Sequence, residues 1–164
     1  ILSLTLALAM LGTALTGCGS KTAAPETSVE PTQQTAPYQQ EQSQTEKALA
    51  LINTFATGDT DTARSLLSDG YIQHNLAYGT GADAFIGSVE YLASADVKTT
   101  VNNIRAFEDG DKVFLQTIYN FAGAGEQVAF DIFRFDEDGK IAEHWDVMET
   151  IADQSTWQNQ NGKF

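Results

Sequence analysis

Asp131-Ile132-Phe133-Arg134-Phe135, then Asp136-Glu137-Asp138-Gly139, then Lys140-Ile141-Ala142-Glu143-His144-Trp145-Asp146-Val147 is the stretch that decides the fold. Two runs rich in β-branched and aromatic residues flank an acidic Asp-Gly turn, the pattern of an antiparallel hairpin. The same pattern extends upstream. Lys98 to Phe107, Lys112 to Phe121, Gln127 to Phe135 and Lys140 to Met148 all read as strands. Glu108-Asp109-Gly110-Asp111 and Ala122-Gly123-Ala124-Gly125 make the other connections. Connections this short make neighbouring strands antiparallel, so a four-stranded meander is expected.

Ahead of the strands the periodicity is helical. Ala48, Leu51, Ile52 and Phe55 recur at helical spacing within Gln42 to Thr57, and Gly58 is a natural stop. Asp59 or Thr60 can cap a second, short helix carrying Ala63, Leu66 and Leu67. Tyr71-Ile72-Gln73-His74-Asn75 and a glycine-containing loop, Gly79-Thr80-Gly81, lead to a third helix, Ala82 to Ser94. Three helices followed by a meander make an α+β domain, with helices covering one sheet face because neither layer can bury its apolar side alone.

The ends differ from this domain. Ile1 to Thr16 carries no charge and is mostly Leu, Ala and Thr, as in the apolar region of a signal peptide. Residues 1–17 lack an initiator Met and a basic start, so the peptide reads as truncated at its start. Leu15-Thr16-Gly17-Cys18 resembles a bacterial lipobox, which implies a lipidated Cys18 as anchor. Residues 18–44 hold Pro25, Pro31 and Pro37 among Thr, Gln and Glu, and read as a flexible tether reaching about 25–30 Å. The expected domain spans 45–153, and 154–164 is a polar tail. The 164 residues carry a net charge of −13. That balance argues against a nucleic-acid partner and against adsorption to an anionic membrane, leaving the lipid anchor as the membrane contact. One Cys excludes an internal disulfide framework and a Cys-based zinc site. The expected location is the cell envelope, at the outer membrane if the organism has one.

Two stretches, Tyr71-Ile72-Gln73-His74-Asn75 and Asp131 through Val147, resemble the SnoaL-like (polyketide cyclase-like) branch of the nuclear-transport-factor-two-like superfamily. The resemblance covers about Thr45 to Asp153. It implies a cone-shaped α+β barrel with a pocket at the open end, and dimerisation through the sheet. The scaffold hosts both enzymes and binding domains, so fold alone does not settle function.

The resemblance places Asp146 where SnoaL-like cyclases have the aspartate that moves a substrate proton. A carboxylate in an apolar pocket is suited to that work. His74, near where the family pocket opens, is the second catalytic candidate, able to polarise a carbonyl or relay a proton. His144 lies two residues before Asp146 and shares its strand face. Trp145 supplies apolar surface. Leu115, Thr117 and Tyr119 alternate towards one face, where Tyr119 can donate to a carbonyl oxygen. The place of Asp131 depends on the turn. A two-residue turn sets Asp131 opposite Asp146. A three-residue turn with Gly139 in a bulge, which Glu-Asp-Gly-Lys suits well, turns Asp131 to the opposite face with Trp145.

Other chemistries lack their residues. There is no phosphate-binding loop, dinucleotide fingerprint or serine elbow, and no ligand spacing supports a metal, so no cofactor is expected. Residues 113–119 contain neither the Arg nor the Asp that limonene epoxide hydrolase needs, and Glu46 to Thr57 lacks the Tyr of ketosteroid isomerase. The expectation is a domain that binds a small hydrophobic carbonyl-bearing molecule, with cofactor-free isomerase, cyclase or dehydratase chemistry through Asp146. The alternative is a non-catalytic ligand-binding or protein-interaction module.

Overall fold

The computed structural model describes residues 41–164. The apolar run, Cys18 and most of the tether lie outside the described residues. Helix α1 (Gln44–Thr57) starts in a capping box: the Ser43 hydroxyl accepts from the Glu46 backbone N–H, and the Glu46 carboxylate accepts from the Ser43 N–H. It buries Ala48, Leu51 and Ile52. It ends at Gly58, whose φ of 73° and an Ala93 Cβ only 2.8 Å from where a side chain would begin both call for glycine. Asp59 caps α2 (Thr60–Leu66) by accepting from the Thr62 N–H. Helix α3 (Ala82–Ser94) buries Phe85, Ile86, Val89 and Leu92.

Five strands form the sheet, not the four of the expected meander: β1 (Leu67–Gln73), β2 (Thr100–Asp109), β3 (Lys112–Asn120), β4 (Gln127–Phe135) and β5 (Ile141–Thr150). Their order is β1-β5-β4-β3-β2. The added strand is Tyr71-Ile72-Gln73 with its flanks, paired parallel to β5. A meander of four would leave the outer N–H and C=O groups of β5 unpaired. β1 satisfies part of that edge, and the His74 N–H extends it by donating to the His144 carbonyl at 2.9 Å. β1 and β2 remain as two edges, so the sheet curls without closing. α1 and α3 fill its concave side, where Val113, Leu115, Ala129, Phe133, Phe135 and Ile141 join the helical residues in one core.

The last hairpin combines both readings of its turn. The Gly139 N–H donates to the Asp136 carbonyl, the Asp136 N–H donates to the Lys140 carbonyl, and Gly139 takes φ 68°. This is the three-residue bulged turn. Its expected consequence for Asp131 fails, because a second bulge follows. Phe135 faces Ile141, but Arg134 faces Glu143, so Ala142 has no opposite partner. Ile141 and Ala142 are both buried. The extra residue shifts the register by one and sets Asp131 opposite Asp146 on the concave face.

The convex face carries a cross-strand row of Phe107, Phe114, Ile132 and Trp145. The C-terminal segment crosses part of this face: Gln116 Nε2 donates to the Lys163 carbonyl at 2.7 Å, and Lys163 Nζ meets Glu149. Among the described residues no helix is long and apolar enough to cross a membrane.

Candidate active site

Between the concave sheet and α1 and α3 lies a cavity of about 570 Å³, within the size range of small-molecule sites. One wall is a chain of aromatic rings. Tyr71 meets Phe85 edge-on at 6.0 Å, Phe85 meets Phe55 at 4.9 Å, Phe55 meets Phe121 at 5.7 Å, and Phe121 stacks on Tyr119 at 4.9 Å. All five line the cavity. Ala122 lines it too, with φ 50°, a left-handed conformation unusual for a residue with a side chain. The Thr99 hydroxyl accepts from its N–H.

Between the two tyrosines that end this chain, the sheet side of the cavity is polar. Asp131, one of the few buried charged residues, accepts from the Tyr119 hydroxyl at 3.0 Å on Oδ2. Its Oδ1 lies 3.1 Å from His144 Nε2. The other ring nitrogen, His144 Nδ1, lies 3.1 Å from Gln73 Oε1. That amide oxygen also accepts from the Asn75 backbone N–H, a donor only, which fixes the orientation of the Gln73 side chain. Both nitrogens of His144 therefore face acceptors. A proton on Nδ1 serves Gln73, and a second proton must be shared between Nε2 and Asp131. Phe133 stacks on the imidazole at 4.5 Å and holds its plane.

Asp146 sits in a different environment. Both its oxygens accept from the Asn75 side-chain amide, at 2.7 and 2.9 Å, and it lines the cavity. The Asn75 Oδ1 accepts in turn from the Ala77 N–H, which orients the amide. Tyr71, facing the same space, accepts from Gln73 Nε2, so its own hydroxyl hydrogen is available to a ligand. No Lys or Arg lines the cavity among the described residues.

Burial pushes the hydroxyls of Tyr71 and Tyr119 well above the ordinary tyrosine value, and the charges of Asp146 and Asp131 add to the effect. Both stay hydrogen-bond donors across the physiological range. Because each folded value is raised, the stabilisation is complete below about pH 10 and is lost as pH rises towards the folded values. In an alkaline titration followed at 295 nm, Tyr71 and Tyr119 are expected to ionise only together with unfolding. The cooperative step should shrink in Tyr71→Phe and in Tyr119→Phe. A smooth ionisation of both while the fold persists would contradict the buried placement.

The structure brings Asp146, His144, Tyr119 and Asp131 together. Thr117 is buried two residues before Tyr119 on β3, its hydroxyl accepting from Asn103 Nδ2 at 3.1 Å. His74 and Trp145 are elsewhere. They stack on each other at 4.6 Å on the convex face, with His74 Nε2 3.4 Å from Glu143, which also pairs with Arg134. Arg134 holds the Glu143 carboxyl below the usual carboxylate value, and His74 adds to it. These contacts explain why His74 faces outward, away from the cavity where it was expected. Tyr71, Gln73 and Asn75 are the site residues that the sequence reasoning passed over. Their signal was present: alternate residues of one strand share a face. Asp131, His144 and Asp146 also offer donor atoms within 4.8 Å of one another, a spacing that a metal ion could bridge.

Three helices packed on a curled, unclosed five-stranded sheet, with a buried Asp-His-Tyr network beside an aromatic-lined cavity, make an α+β domain of the NTF2-like fold. The SnoaL-like domain family matches residues 48–144, and the chain belongs to that family. Among curated proteins none matches the sequence. Among solved structures it is similar to an NTF2-like protein of unknown function from Cytophaga hutchinsonii (16% identity, 68% of this chain and 94% of that one, TM-score 0.58). It is also similar to a candidate polyketide cyclase from Bacillus cereus (15% identity, 65% and 74%, TM-score 0.56). An LEH-like epoxide hydrolase from M. tuberculosis matches at 18% identity, over 63% of this chain and 80% of that one, with a TM-score of 0.55. At these identities the likeness is one of fold.

Proposed function

We propose that the domain binds a small, largely apolar carbonyl compound in this cavity and moves a proton on it without a cofactor. The observation that carries the reading is the contrast between its two carboxylates. Asp131 is engaged by both Tyr119 and His144, whereas Asp146 faces the cavity with, among the described residues, only the neutral Asn75 amide as partner. Asp146 is the base: it takes a proton from the carbon next to the carbonyl and returns it at another position, so no net charge or atom is lost. The Tyr71 hydroxyl donates to the carbonyl oxygen, where negative charge develops. The Asp131-His144-Tyr119 network fixes the floor of the site.

The test is hydrogen–deuterium exchange at the α-carbon of a panel of cyclic ketones in D2O, followed by NMR. Asp146→Asn is expected to lower the catalysed exchange by about 10²–10⁴-fold, and Tyr71→Phe by about 10²-fold. Exchange that equals the buffer rate throughout the panel, or that is indifferent to Asp146→Asn, would refute the enzymatic reading.

A second reading has its own support. Phe107, Phe114, Phe130 and Val147 are exposed on the convex face, an apolar patch of the kind that marks an interface. We propose that this face pairs two copies of the domain, and that the Leu15-Thr16-Gly17-Cys18 sequence anchors the chain to the bacterial envelope by lipid, at the outer membrane where there is one. A tethered module that only binds its ligand fits the same features.

A further inference from the structure

We infer that the ligand of this cavity carries a protonated amine, set against Asp146, on a ring body that lies along the aromatic wall. The inference deepens the proposed function by naming its substrate class and rests on the cavity being a ligand site. Three observations carry it. The first is the charge balance of the lining. Its carboxylates are Asp131 and Asp146, and no Lys or Arg accompanies them among the described residues. His144 and Tyr119 answer Asp131, but among the described residues the hydrogen-bond partner of Asp146 is an amide, which has no charge to neutralise it. A carboxylate held in a low-dielectric pocket with neutral partners is a receptor for a cation and repels an anion.

The second observation is the aromatic lining that runs from Tyr71 to Tyr119 around the carboxylates. Tyr71, Phe85, Phe55, Phe121 and Tyr119 form a continuous series of rings at centroid spacings of 4.9 to 6.0 Å. Aromatic faces attract cations through their negative π-surfaces and stack on planar rings. A molecule with an ammonium group and a flat apolar body satisfies the carboxylate and the adjoining rings at once. The third is the long-range field. A net charge of −13 draws cations towards the molecule and slows the approach of anions. One N–H of the ammonium group bonds an Asp146 oxygen and supplies the positive charge that the Asn75 amide lacks.

The experiment compares three probes that share one ring body: 2-naphthylmethylamine, 2-naphthylmethanol and 2-naphthoic acid. Binding to the full chain is measured by calorimetry at pH 7 and two salt concentrations. The amine is expected to bind at least about tenfold tighter than the alcohol, and the acid at least about tenfold weaker. Added salt should weaken the amine most. In Asp146→Asn the preference for the amine should vanish, and a wild-type far-UV circular dichroism spectrum with a cooperative urea transition shows that the variant is folded. Equal binding of amine and alcohol by the wild type would overturn the inference and leave the cavity as a ligand site. Tighter binding of the acid would overturn it as well. Failure of all three to bind would overturn the ligand-site reading and this inference with it. Wild-type discrimination that survives in Asp146→Asn would overturn the assignment to that carboxylate.

Discussion

Asp131→Ala is expected to destabilise the domain by about 3–5 kcal/mol, because it breaks a buried charged network by removing its central member. Asp131 is only 3% exposed and accepts both the Tyr119 O–H and the proton shared with His144 Nε2. With Ala at that position two buried polar groups lose their partner, and the low dielectric makes each loss costly. A domain of this size has a total stability of about 5–15 kcal/mol, so the variant should stand close to unfolding. Asp131→Asn is expected to lose less, about 1–3 kcal/mol, since its amide oxygen still accepts one of the two bonds. Replacing the whole network, with Asp131→Leu, His144→Phe and Tyr119→Phe together, should recover most of the loss. Urea midpoints at constant m-value would measure the series. A loss below about 1 kcal/mol in Asp131→Ala would mean that water already serves these groups. Recovery in the triple variant would show that the network is kept for the chemistry of the site and not for folding.

How much of this site was legible in the sequence follows from the same hairpin. The amphipathic stripe of α1, a cap at Asp59 or Thr60 and the extent of α3 were readable because local periodicity and capping decide them. The bulged turn at Gly139 was readable from Glu-Asp-Gly-Lys. The bulge at Ala142 was not. A bulge is selected by how Ile141 and Ala142 both pack inward, and that is a tertiary condition with no local signature. Reasoning from the turn alone therefore sends Asp131 to the wrong face, one residue out of register. β1 was hidden for a related reason. Leu67-Ser68-Asp69-Gly70 lacks strand character, and its parallel pairing with β5 spans most of the domain. Without recognition of that strand, His74 stood out in Tyr71-Ile72-Gln73-His74-Asn75 as the chemically active residue. Within the strand, alternation assigns Tyr71 and Gln73 to the cavity and His74 to the convex face, where Trp145 and Glu143 receive it.

Phe133→Ala carries the second large effect, a loss of about 3–5 kcal/mol. Phe133 is 1% exposed and lies between Val113 on β3 and His144 on β5. It belongs at once to the apolar core and to the site, because its ring stacks on the imidazole at 4.5 Å. Truncation removes the apolar contacts and leaves a void beside the Asp131-His144 pair. Water can enter a void with polar groups in its wall, which draws the cost towards the lower end of the range. Phe133→Leu refills most of the volume and should cost less than about 1.5 kcal/mol. The stack itself is separable by a double-mutant cycle. Truncation of Phe133 in the wild type and in His144→Leu should differ by about 0.5–1.5 kcal/mol, the coupling expected of one stacked pair. Equal losses in the two backgrounds would show that the ring serves the core alone. In that case the orientation of His144 would rest entirely on its two hydrogen bonds, to Gln73 and to Asp131.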